Sequence, residues 1–283
     1  MIILLFFIFL FGLAIGSFLN CLIWRLHTGE GMWNRSYCPK CKHQIAWYDN
    51  IPIISFIILG GKCRHCGQRI SWQYPLVELI TGILFVVAFM INLPTPAFGH
   101  PSAGGDLFNF DFFTSLPSEA LAKEGYFLLL TLRSWFLISV MIIIFIYDLR
   151  WYLILDVVTL PACAIIIILN LFLGVSWQNM AISGIIGSSF FLFQLLISQG
   201  KWIGGGDVRL GLLMGFSLGW PNIITGIMIA YLIGAIVGII LIISRYKKWN
   251  SKVPLGVFLS TSTIMALFWG EKIIKWYINF FLT

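Results

Sequence analysis

A chain of 283 residues with 59% hydrophobic and only 10% charged side chains lies outside the range of soluble domains, whose charged fraction runs at about 25%. The composition describes a polytopic membrane protein and excludes a water-soluble enzyme. The net charge of +7 would suggest nucleic acid in a soluble chain; here the basic residues are read by position, because they gather in cytoplasmic loops, and no nucleic-acid partner is expected.

Apolar runs near the length that crosses a hydrocarbon core, about 20 residues, lie at roughly 1–24, 76–92, 127–147, 157–175, 180–199, 208–220, 222–244 and 255–281. They predict an all-α fold of about eight transmembrane helices embedded in a lipid bilayer. The 208–220 run is short and Pro221 opens the next, so 208–244 forms either two helices or a re-entrant pair. Met1 to Asn20 has no basic leading region and no small-residue cleavage site, which reads as a retained first helix rather than a signal peptide. The expected organisation is a first helix at 1–24, a cysteine-rich cytoplasmic domain at 25–75 and a transmembrane domain at 76–283.

Orientation follows from the lysines and arginines. In an alternating arrangement 14 of the 18 fall on one side: Arg25, Arg35, Lys40, Lys42, Lys62, Arg64, Arg69, Arg150, Lys201, Arg209, Arg245, Lys247, Lys248 and Lys252. That side is the cytoplasm, and the N-terminus lies outside. The 92–125 loop agrees: it holds Asp106, Asp111, Glu119 and Glu124 against Lys123 alone, with Pro94, Pro96, Pro101 and Pro117, and it reads as an extracytoplasmic loop without chemistry. His100 within it is expected to be a solvated side chain.

The 25–75 segment carries Cys38-Pro39-Lys40-Cys41, then 21 residues, then Cys63-Arg64-His65-Cys66-Gly67. Two Cys-x-x-Cys knuckles at this separation can bring four thiolates around one zinc ion in a zinc-ribbon-like, structural site. A reducing cytoplasm favours metal over disulfides; two unrelated thiol pairs or a redox dithiol are the alternatives. His43 and His65 read as exposed neighbours of the knuckles, and Cys21 and Cys163 as small buried hydrophobes.

Asp148 ends one apolar run, and Asp207 follows Gly204-Gly205-Gly206. Two crossings separate them, so both fall on the cytoplasmic face. An ionisable group at membrane depth is a functional candidate by default. A carboxylate pair sharing one proton can deprotonate a water and polarise a carbonyl, titrating as a unit. The three glycines are expected to hold the backbone out of helical geometry beside a wet cavity. The competing expectation is that each aspartate caps a helix or pairs with Arg150 or Arg209; a transporter with acidic coupling residues, or a zinc-ribbon scaffold, would also place charges here.

Taken in order, Gly16-Ser17-Phe18-Leu19-Asn20, Trp24-Arg25-Leu26, the two knuckles, Tyr147-Asp148-Leu149-Arg150 with Asp156, Gly204-Gly205-Gly206-Asp207 and Val253-Pro254-Leu255-Gly256 resemble the bacterial type IV prepilin leader peptidases, from about Gly12 to about Leu259. The resemblance implies an aspartic membrane peptidase of the GxGD class in the bacterial inner membrane. It would cut the basic leader of type IV prepilins or type II secretion pseudopilins after a glycine, and would then N-methylate the new terminus with S-adenosylmethionine. The family's catalytic pair carries over to Asp148 and Asp207. Leu155, His27 and Arg209 depart from its usual proline, proline and lysine, which bears on substrate preference, and Asp156 is expected to be interfacial. No G-x-G-x-x-G follows a strand, so the cysteine-rich loop is the expected place for the methyl donor.

Overall fold

The computed structural model describes residues 1–31, 35–93, 119–245 and 253–282. The expectations for His100, Asp106, Asp111 and the loop prolines, and for Lys247, Lys248 and Lys252, lie outside these residues. The described helices are α1 (Ile2–Thr28), α2 (Ile54–Ile58), α3 (Gln73–Asn92), α4 (Glu119–Trp151), α5 (Asp156–Phe172), α6 (Trp177–Ser198), α7 (Gly205–Leu218), α8 (Asn222–Ile243) and α9 (Leu255–Leu282). Among the described residues no strand forms; isolated bridges pair Tyr37 with Gln44 and Lys62 with Arg69.

The structure is all-α, as the apolar runs imply. Six helices, α1, α3, α4, α6, α8 and α9, have the length and apolarity to cross a membrane, whereas α5 has 17 residues and α7 only 14. At 1.5 Å per residue α7 spans about 21 Å, short of a hydrocarbon core of about 30 Å. The expected count of eight crossings therefore stands at six helices of full length and two shorter ones. Residues 208–244 fall in two helices, α7 and α8, joined at Gly219–Pro221. α4 already begins at Glu119, inside the 92–125 segment expected from the sequence to be a loop.

The chain forms two compact units, Met1–Ile91 and Asn92–Thr283. In the first, α1 and α3 meet so closely that a Cβ on Gly16 would lie 2.7 Å from the Glu78 Cα. Asn20 Nδ2 donates to the Tyr74 carbonyl at 3.1 Å, using a buried amide to cap contact between the same two helices. Glu78, also buried, accepts from the Ile53 N–H at 2.8 Å. Ile53 has φ +61°, an unfavourable region for a β-branched residue, so the carboxylate holds a strained entry into α2.

In the second unit α7 lies at the centre, packed on α5, α6, α8 and α9, while α4 packs on α5 and α9. Its core joins Leu137, Met141 and Ile144 of α4, Ile166 of α5, Phe191 of α6, and Leu210, Leu213 and Met214 of α7. The α6–α7 seam depends on small residues: a Cβ on Gly215 would lie 2.6 Å from the Gly184 Cα. Between apolar helices in lipid, such close backbone approach supplies the dispersion contact that solvent exclusion supplies in water.

A helix that ends short leaves up to four carbonyls without intrahelical partners. Those of α7 are collected by side chains from its neighbours. Arg133 of α4 donates to the Ser217 carbonyl, and Asn170 of α5 donates to that of Phe216 at 2.7 Å. Asn179 of α6 completes the turn, accepting from the Trp220 N–H at 2.8 Å. Asn170→Leu should orphan a buried carbonyl and cost about 1–3 kcal/mol, read as a lower unfolding midpoint of the detergent-solubilised protein. Gly215→Leu should do more, by forcing α6 off α7; a midpoint equal to wild type in either variant would reject this account of the short helix.

Candidate active site and cysteine centre

Asp148 and Asp207 are 5% and 9% exposed, each set by the start of a helix. Asp148, three residues before the end of α4, reaches the first turn of α9, where the Val257 N–H donates to its Oδ2 at 3.1 Å and the Gly256 N–H also engages it. Asp207 lies in the first turn of α7; its Oδ2 accepts from the Gly204 N–H at 3.0 Å, while its own N–H donates to the Gly204 carbonyl at 3.1 Å. Each carboxylate thus satisfies a helix-end donor that would otherwise be orphaned. Among the described residues no side chain pairs with either one. The carboxylates are near enough for the charge on one to act on the other.

This resolves the competing expectation in an unexpected way. Both aspartates do hold helix starts, yet neither is neutralised by arginine. Arg209 pairs instead with Asp156, tying the start of α7 to that of α5, and the Asp156 side chain is exposed.

The glycines act differently from the expectation. Only Gly204 is extended, with φ −88° and ψ 161°, and α7 already begins at Gly205. Their use is proximity: a Cβ on Gly206 would lie 2.9 Å from the Ile154 Cβ. On the other side Gly256 is equally constrained, since a Cβ there would lie 2.8 Å from Asp148 Oδ2 and 3.1 Å from Ile154 Cδ1. Ile154, in the short connection between α4 and α5, therefore touches both glycines that flank the carboxylates. The sequence gives no sign of this role, because an isoleucine in a short apolar connection carries no distinguishing pattern. Tyr231 was also not singled out: its hydroxyl donates to Gln194 Oε1 at 2.8 Å and lies within electrostatic reach of Asp207.

In the first unit the four cysteines do converge. The sulfurs of Cys38, Cys41, Cys63 and Cys66 all lie within 4.8 Å of one another, and Cys38 and Cys66 are 3.9 Å apart. A tetrahedral ion with bonds of about 2.3 Å needs sulfur separations of roughly 3.8 Å, and none of the six cysteines is in a disulfide. The donor set and its spacing fit a tetrathiolate metal site.

The two knuckles repeat one hairpin. Cys38 N–H donates to the His43 carbonyl at 2.9 Å and Cys63 N–H to that of Gln68 at 2.8 Å. The residue after each second cysteine, Lys42 or Gly67, has φ +58° or +67°. Backbone N–H groups of Cys66 and His65 point at Cys63 and bring its thiol down to about 7, toward the thiolate a metal requires. His43 and His65 stack on each other with ring centroids 3.4 Å apart; they are exposed and lie outside the sulfur cluster. Arg64 makes a two-pronged bond to Asp49, at 2.9 and 2.6 Å, holding that carboxyl below its ordinary range and fastening the Trp47–Asn50 turn to the second knuckle.

Comparison with known proteins agrees with this division. The profile of the bacterial peptidase A24 N-terminal domain matches residues 10–92, and that of the type IV leader peptidase family matches residues 135–239. A protein of Aeromonas hydrophila named prepilin leader peptidase/N-methyltransferase is 33% identical, over 97% of this chain and 94% of its own length. Proteins of the same name from Aeromonas salmonicida (strain A449) and Pseudomonas aeruginosa are 32% and 30% identical, each over 96% of this chain. No solved structure matches. With matches to both profiles and near-complete alignment to these relatives, the chain belongs to the type IV leader peptidase family.

Proposed function

We propose that this protein is a prepilin peptidase and N-methyltransferase that uses Asp148 and Asp207 as its catalytic pair. The observation that carries the assignment is two buried carboxylates, close enough for the charge of Asp148 to act on Asp207, each held through backbone N–H groups and, among the described residues, without a cationic partner. In this reading the ionised carboxylate takes a proton from water as the water oxygen bonds to the scissile carbonyl carbon. The protonated partner donates to the carbonyl oxygen. Collapse of the tetrahedral intermediate breaks the C–N bond, and the amine leaves with a proton, releasing a leader that ends in glycine and a mature chain with a free N-terminus.

The substrates are prepilins or pseudopilins. Their basic leader and apolar helix place the cut at the cytoplasmic face of the inner membrane, where the basic-residue distribution puts both aspartates. Gly204 and Gly205 leave room for extended substrate backbone at the start of α7, since a Cβ on Gly205 would meet nothing within 4 Å, while Gly206 positions that helix start against Ile154. The cysteines hold one structural zinc, with all four positions filled by protein and none open to substrate.

The relatives' names imply S-adenosylmethionine as methyl donor. The groove beside the second knuckle, the cofactor's expected neighbourhood, carries Lys62 and Arg69 and no carboxylate on its walls. It is a poor match to a sulfonium cation, and no methyl-transfer step is assigned to these side chains.

Co-expression with a prepilin from the same genome, followed by mass measurement of the mature N-terminus, tests the activity. Asp148→Asn and Asp207→Asn keep the shape and the acceptor but cannot exchange the proton, so each should lower cleavage by several orders of magnitude with membrane insertion intact. Gly256→Val should also slow it, by displacing Asp148, while Asp156→Asn retains most activity. Near-normal cleavage by either asparagine variant would remove that residue from the mechanism.

Elemental analysis of protein purified without chelator should find one zinc per chain, lost in Cys38→Ser/Cys63→Ser. Four freely titrating thiols and no metal would reject the zinc site. An impermeant thiol reagent should reach a cysteine placed between Pro94 and Pro117 from outside and fail to reach one at Lys247; the reverse labelling would remove the aspartates from the leader's side of the membrane.

A further inference from the structure

The second knuckle carries an anion-binding arrangement that neither peptide cleavage nor metal binding uses. Lys62 and Arg69 stand directly opposite each other across an antiparallel bridge, which places both side chains on one face of the hairpin. Like charges in this position repel. The nearest acid on the same hairpin's partner turn, Asp49, is already taken by Arg64, and among the described residues no acid pairs with Lys62 or Arg69.

Beside them opens a groove of about 820 Å³ whose far wall is the first two turns of α3. That helix is long and apolar enough to cross a membrane, and a groove along its first turns would then lie beside lipid. Its sides are Ile57, Trp72, Leu76 and Leu79, all substantially exposed. Two unpaired cations at one end and an apolar trough running along a membrane helix at the other match an amphiphile with an anionic head. Exposed apolar residues of this kind, with an indole at the rim, are what an interface between head groups and acyl chains selects.

We infer that the groove holds one anionic phospholipid of the surrounding bilayer, its phosphate between Lys62 and Arg69 and an acyl chain along Ile57, Leu76 and Leu79. A free anion would satisfy the cations but leave the trough bare; a neutral phospholipid would fill the trough but leave its own cation against Lys62 and Arg69.

Each basic side chain close to an anionic head group strengthens binding about fivefold, so the pair should confer a preference of roughly 25-fold. The test is native mass spectrometry of the full-length protein equilibrated with equimolar phosphatidylglycerol and phosphatidylethanolamine. Wild type should retain one phosphatidylglycerol in strong preference, and Lys62→Gln/Arg69→Gln should lose that preference. Lys40→Gln/Lys42→Gln, which removes the same charge from the first knuckle, should keep it. Leu76→Trp fills the trough without touching the hairpin and should displace the lipid while both cations remain, which keeps the test decisive if the hairpin variant does not fold.

Equal loss in the Lys40/Lys42 control would mean diffuse attraction and overturn the site. Displacement of the lipid by millimolar inorganic phosphate would reduce it to a simple anion site, and displacement by S-adenosylmethionine would make it a cofactor groove; either result also overturns the proposal.

Discussion

The constraint on which the second unit depends is that backbone N–H and C=O groups within a bilayer must find partners inside the protein, because no water is present to accept them. A helix that crosses completely meets this demand along its length and leaves its ends to the interface. α7 is too short to cross completely. Its 14 residues put one end among other helices, where Arg133, Asn170 and Asn179 reach its terminal turn, and polar side chains on α4, α5 and α6 that look out of place in apolar runs are explained by that single short element.

The same demand operates at the opposite end, with a different kind of residue. The first turns of α7 and α9 present N–H groups that Asp207 and Asp148 accept. Capping and catalysis are usually weighed as alternatives for an acidic residue at a helix start. Here the first is a condition of the second: a carboxylate anchored by backbone amides needs no arginine to remain buried, and an aspartate without an arginine partner keeps its proton-exchanging capacity for a substrate. The pairing of Arg209 with Asp156 belongs to the same logic, since it removes the nearest sequence cation from Asp207.

Much of this was legible in the sequence, for identifiable reasons. Apolar runs locate helices because lipid imposes length and composition together, and the knuckles declare themselves because tetrahedral thiolate binding fixes spacing. The two aspartates stand out because charge at membrane depth is costly. What was not legible is whatever depends on distance between segments far apart in sequence. Three glycines before Asp207 suggested an unwound backbone, but only Gly204 is extended, and Gly206, within the helix, matters for what it allows Ile154 to approach. Arg133, inside the 127–147 apolar run, carries no mark in the sequence of the role it has in serving the end of α7. Glu78, an acid inside an apolar run, drew no notice, yet it holds the strained Ile53 N–H at the entrance to α2.

Ile154 shows how little sequence is needed to set the geometry of a site assembled from distant segments. The connection between α4 and α5 is only Tyr152–Leu155, so the residue six after Asp148 cannot move independently of it. By filling the space against both Gly206 and Gly256, that one side chain fixes the start of α7, which carries Asp207, relative to the start of α9, which holds Asp148. Packed interiors tolerate neither voids nor overlap of even a methylene, so the volume of this isoleucine and the absence of side chains on the two glycines together determine the spacing of the carboxylates. The separation is thereby decided by apolar packing, a property that neither aspartate could enforce by itself.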